Sequence, residues 1–202
     1  MSEKKLTLEK NLLGMIDIYY GMSGALKSTT IKRTYPEGKF VVMKSDIKVW
    51  KNNRDLVFPW LKETETNLNY ALLHLTRLED YIKGNWNYVI ERGITDMMFY
   101  EKNQSPETIN DAVIIRATNR EKEIIGKNNN DLQKILLIMK DRKFIAENVL
   151  SEKTRADWFD GVQDYLQKQD EYVEFTKKYN QIDKEIVIDD AKTYLAKLRV
   201  KL

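Results

Sequence analysis

Residues 15–30, Met-Ile-Asp-Ile-Tyr-Tyr-Gly-Met-Ser-Gly-Ala-Leu-Lys-Ser-Thr-Thr, constrain the chain more than any other stretch. Met15 to Tyr20 reads as a short apolar strand, and Gly21 to Leu26 as a glycine-bearing turn. Lys27-Ser28-Thr29 then opens a helix. That order is the logic of a phosphate cradle. Glycines let backbone N–H groups approach the phosphates, a lysine reaches the outer ones, and a hydroxyl ligates magnesium. The following helix points its positive end at the anion. The full pattern is G-x-x-x-x-G-K-[ST]; Gly21, Lys27 and Ser28 fit it, and Leu26 stands where the second glycine belongs. Glycine is favoured there because it tolerates backbone angles that a Cβ penalises. The leucine therefore either strains the loop or marks a variant geometry. The competing reading is an ordinary strand-turn-helix whose lysine is merely solvated.

A chain of 202 residues suffices for one α/β domain with a sizeable core and is short for two. Apolar residues at 42% and charged residues at 32% describe a soluble globular protein. A net charge of +3 is too small to argue for nucleic-acid binding. There is no cysteine, which excludes disulfides and thiolate metal sites and fits a cytoplasmic setting. No apolar run approaches the length of a membrane span. The amino terminus carries charge but no hydrophobic secretory core, so residues 1–14 read as a lead-in to one domain over 15–202. No linker and no internal repeat is visible.

Along the chain, strands and helices alternate. A helix over Lys27–Arg33 ends before Tyr35-Pro36-Glu37-Gly38, and Phe40–Met43 reads as a second strand leading to Asp46. Leu61 to Lys83 has helical spacing, with Gly84 as a stop. Asn87–Ile90 is a third strand, delivering Glu91-Arg92-Gly93 at its carboxyl end. Pro106 starts a helix running to Ile125, and Lys134–Met139 is a buried strand. Trp158–Tyr179 is a long helix, Glu185–Asp189 a fifth strand, and Ala191–Leu198 a closing helix. Such alternation implies a parallel sheet covered on both faces, with ligands gathered at the carboxyl ends of its strands. The glycine loop, Asp46 and Glu91-Arg92 all fall there.

The chain resembles the P-loop nucleoside and nucleotide kinases, in particular thymidylate kinase and the deoxynucleoside kinases. Gly24-Ala25-Leu26-Lys27-Ser28-Thr29 is similar to the G-A-G-K-[ST]-T of thymidylate kinases apart from Leu26. Glu91 to Glu101 looks like their D-R-[YF]-x-x-S-x-x-A-Y-Q segment, and like the E-R-S segment of deoxynucleoside kinases. Leu136 to Arg155 resembles the strand-plus-lid region, and Ile186 to Ala191 the closing V-I-D-A strand. The similarity runs in collinear order from residue 15 to the end. An R-E-P-type segment after the second strand is missing. The resemblance implies an α/β, three-layer P-loop kinase sandwich: a five-stranded parallel sheet, helices on both faces, and a lid around residues 140–160.

It also implies roles. Lys27 and the amides of Gly21 and Gly24 would hold ATP phosphates beside Thr29, and Ser28 would ligate magnesium. Arg92 would contact the acceptor or the transferring group. Asp46 would sit near the carboxylate that accepts a 5′-hydroxyl proton. Glu91, Asp96 and Tyr100 would lie on the acceptor side. Arg142, Lys143, Lys153 and Arg155 would be lid cations closing over the phosphates, with Arg142 on the nucleotide and Arg155 at the reaction. Phosphoryl transfer asks for positioning and positive charge, plus a base only when the nucleophile is a hydroxyl.

Each residue has a duller reading. Arg92 could pair with Glu91 or Asp96, Asp46 could cap a loop, and the lid cations could form a solvated helix face. His74, the single histidine, reads as a structural or surface residue rather than a catalytic one, and no transition-metal site can be assembled around it. Tyr19-Tyr20 reads as packing, and Trp50, Phe58 and Trp60 as a base platform or a satellite core. The expected activity is ATP- and Mg2+-dependent transfer to a nucleoside monophosphate, or alternatively to a deoxynucleoside. A third possibility is a kinase-like binding or assembly protein disabled by Leu26. A homodimer is compatible with the long helices.

Overall fold

The structure, a computed structural model, describes residues 14–43, 74–80, 82, 87–104, 109–126, 131–152 and 157–199. Asp46, Trp50, Phe58, Trp60, Pro106, Lys153, Arg155 and the 1–13 lead-in lie outside the described residues.

The first strand, β1 (Ile16–Tyr20), is buried along its whole length, so both faces of the sheet are covered at its centre. It leads through the glycine turn into α1 (Lys27–Thr34) and then β2 (Val41–Met43). Helical residues 74–80 form α2. Next come β3 (Tyr88–Glu91), α3 (Ile94–Gln104), α4 (Asp111–Gly126) and β4 (Leu132–Met139). A short helix α5 (Arg142–Phe144) widens into a π turn over Ile145–Val149. The chain ends with α6 (Gly161–Tyr179), β5 (Lys184–Ile188) and α7 (Ala191–Lys197).

All five strands are parallel, in the order β2-β3-β1-β4-β5. Chain progression thus crosses from one side of β1 to the other between β3 and β4. A crevice opens at the carboxyl ends of strands at such a reversal. The register fixes what enters it. Tyr19 lies opposite Glu91, and the Arg92 N–H bonds the Tyr19 carbonyl at 3.0 Å. The two chains therefore leave the sheet side by side, one as the glycine loop and the other as Arg92-Gly93.

The fold is the α/β parallel sandwich expected from the sequence, with three local corrections. Helix α3 was not anticipated. Residues 93–99 are all buried, so the polar stripe that reveals an amphipathic helix is missing. The helix expected from Pro106 is described as Asp111–Gly126. The helix expected from Trp158 begins at Gly161, whose φ of 83° breaks helical continuity with Trp158-Phe159.

Candidate active site

The glycine turn answers the question that Leu26 poses. Leu26 is the residue before α1, at φ 60° and ψ 17°, the left-handed conformation usually left to glycine. Its side chain packs against the main core. The leucine therefore adopts the backbone angles of the missing glycine. No side chain caps α1, and first-turn amides have no intrahelical acceptor, so this end of the helix faces a cleft ready for an anion. The cleft encloses about 180 Å³, several times the space one water needs. Its walls are residues 23–29, Glu91, Arg92, Phe144, Asn148 and Val149.

Lys27 is buried, and its ammonium donates to the carbonyls of Gly21 and of Met22, the latter at 2.9 Å. The cation is thus held within the loop itself. Gly24 is required by what sits on it: a Cβ there would lie 2.7 Å from the Val149 methyls, and φ is 89°. Tyr165 closes the same side by donating to the Ser23 carbonyl at 3.1 Å.

Across the cleft, the Ser28 hydroxyl donates to a Glu91 carboxylate oxygen. A hydroxyl beside a carboxylate is the hard oxygen donor set that Mg2+ takes, so the two residues fit that ion. Arg92 stands at φ 87°, a strained backbone for a non-glycine residue and a feature that clusters at functional sites. Its guanidinium is 3.9 Å from Asp96 one turn on. Burial works against the Arg92 charge, but Tyr100, Asp96 and Tyr172 more than restore it.

Asp96 itself is fully buried. Burial raises its carboxyl above the usual range, outweighing Lys27, Arg92 and a hydrogen bond from Tyr172, which pull it down. The Tyr172 hydroxyl donates to Asp96 and also accepts the Gly21 N–H at 2.9 Å.

Beneath these groups lies a second buried polar cluster. Glu121 accepts the Ile94 N–H at 2.8 Å and contacts His74 at 3.0 Å and the Tyr20 hydroxyl at 3.5 Å. Burial alone would raise the Glu121 carboxyl, but His74, Lys134 and the Ile94 amide outweigh it and hold it low. Lys134 bonds Asn180 at 2.7 Å, and Asn180 bonds the Thr95 hydroxyl at 2.8 Å. The start of α3, separated from Arg92 only by Gly93, is therefore clamped from α2, α4, β4 and the residue after α6.

Of the sequence-predicted site residues, Gly24, Lys27, Ser28, Thr29, Glu91 and Arg92 line one cleft. Gly21 is not part of the cleft wall, its N–H being bonded to the Tyr172 hydroxyl at 2.9 Å, and Asp96 and Tyr100 lie beyond Arg92 on α3. Arg142 is turned elsewhere: its exposed guanidinium bonds Gln163 at 3.3 Å. Lys143 is exposed and faces Glu147. Among the described residues, the π turn and its flank offer the cleft Phe144, Asn148 and Val149 in place of the expected cations. His74 is structural, as its burial against Glu121 requires. Tyr172 and Glu121 escaped sequence reasoning, because each sits on a helix whose period marks it only as a core-facing position.

No family model matches the chain, and no curated protein matches it. Solved structures do. Deoxyadenosine kinase from M. mycoides with bound dCTP aligns at a TM-score of 0.51 and 18% identity, over 90% of this chain and 95% of that one. The same enzyme with bound dATP aligns at 0.50 and 18%, over 90% and 96%. Thymidylate kinase from Candida albicans gives 0.49 and 13%, over 91% and 88%. The chain has the P-loop nucleotide kinase fold. Among the described residues no helix is long and apolar enough to cross a membrane.

Proposed function

We propose that the chain is an ATP- and magnesium-dependent kinase that phosphorylates a deoxynucleoside or its monophosphate. One observation carries the reading: a glycine loop, Lys27, the Ser28–Glu91 pair and Arg92 converge on a single cleft at the reversal of a parallel sheet. Phosphoryl transfer needs little covalent chemistry from a protein and much positioning and positive charge. Lys27 exchanges its carbonyl partners for phosphate oxygens. The open amides of α1 hold the β-phosphate, and Arg92 meets the equatorial oxygens of the group in transit. Ser28 with Glu91 would hold magnesium, which would supply positive charge to offset that of the phosphates.

The deoxynucleoside is the preferred acceptor of the two. Among the described residues only Lys27 and Arg92 bring positive charge to the cleft wall, which is sparse for a donor triphosphate plus an acceptor phosphate. A hydroxyl acceptor needs a base, and Asp46, three residues beyond β2, is the proposed one. The monophosphate reading rests on the Arg92-to-Tyr100 spacing and would draw on Arg155. A coupled assay over deoxynucleosides and their monophosphates tests both, with turnover expected on at least one deoxynucleoside. Turnover on monophosphates alone would reverse the order, and none on any acceptor would leave a nucleotide-binding or assembly role.

A further inference from the structure

Tyr172 is fully buried, on the helix that follows the segment capping the cleft. Its ring is fixed edge-on against Phe99 of α3, with centroids 5.2 Å apart and planes at 90°. That fixed ring presents one hydroxyl to two places at once. It accepts the N–H of Gly21, the first residue of the nucleotide loop, at 2.9 Å. It donates to Asp96, whose other oxygen has no hydrogen bond and faces the Arg92 guanidinium at 3.9 Å. A buried hydroxyl with its donor and acceptor both used holds its two partners at a fixed separation.

We infer that Tyr172 is a positioning residue that ties the nucleotide loop to the acceptor-side helix, setting Arg92 through Asp96. This rests on the kinase reading above. The groups facing Asp96 are Lys27 from α1, Arg92 on its own turn, Tyr20 from β1, Glu121 from α4 and Tyr172 from α6.

Tyr172→Phe keeps the ring and removes only the oxygen. It is expected to lower kcat about tenfold and to raise the KM for ATP severalfold, since loop and arginine lose a shared anchor. It also removes a hydrogen bond that favours ionised Asp96, so the acid limb of kcat/KM is expected to move to higher pH. In the Tyr172→Phe, Asp96→Asn pair the double variant should be no worse than the poorer single one, because both changes break one link. A lowered melting temperature with kcat, KM and the acid limb unchanged overturns the inference. Carboxyl carbon NMR of Asp96 reads the link without turnover: its titration midpoint rises in Tyr172→Phe if the hydroxyl acts on it, and stays put if not. A wild-type chain inert on every acceptor overturns the kinase reading instead, and the NMR result still decides the coupling.

Discussion

At Leu26 the backbone reaches φ 60° and ψ 17° with a branched aliphatic side chain, at a cost of roughly 1–2 kcal/mol against a right-handed conformation. The side chain offsets part of that by packing on the core. Replacing it with glycine relieves the strain but gives up the packing and adds about 0.5–1 kcal/mol of chain entropy to lose on folding. Since the loop holds this geometry already, Leu26→Gly is expected to leave the ATP dissociation constant within about threefold, or ~0.7 kcal/mol. Isothermal titration checks it. Tightening of tenfold or more would mean that the leucine distorts the loop away from the anion. The sequence posed this question and could not answer it, because the same residue reads as strain or as a tolerated variant until its φ is known.

Two elements hold Arg92 in place, and each offers a separate test. Gly93 lies against the Tyr20 ring, where a Cβ would come within 2.5 Å of ring atoms. Gly93→Ala must displace the buried Tyr20 ring or the start of α3. It is expected to cost about 1–3 kcal/mol in denaturant unfolding, with activity lost beyond the loss of fold. The second element is Glu121, which links α4 to the first amide of α3 and to α2. Its carboxyl is held low in the folded state. The stability it contributes is therefore present above the ordinary glutamate value of about 4.3 and lost as pH falls through the lower folded value. Glu121→Gln should lose about 1–3 kcal/mol near neutral pH, with the gap to wild type closing on acidification. A gap independent of pH would contradict the assignment of that charge. Strands β1, β3, β4 and β5 were readable to within two residues at either end because short apolar runs between turn residues leave few alternatives. Helix α3 was not readable, since its first six residues are all buried and such a run carries no period. Nor was the Tyr172 link, whose partners are 76 and 151 residues away in sequence.

At the scale of the whole molecule, the topology brings two distant segments to one opening. Parallel pairing of β1 with β3 sets the glycine loop beside Glu91-Arg92, and β4 on the other side of β1 is followed by the turn that roofs the cleft. Placement of Val149 over Gly24 and of Tyr165 on Ser23 means that the roof rests on the loop itself. Anion binding at the loop should therefore stabilise the fold as a whole, because a ligand that binds only the folded state raises its stability by mass action. The most direct measurement is the melting temperature of wild type and Lys27→Ala with and without ATP–magnesium, each compared with its own ligand-free value. A concentration-dependent rise is expected for wild type and none for Lys27→Ala. An equal rise in both, or no rise in wild type, would contradict a phosphate cradle between Gly21 and Ser28.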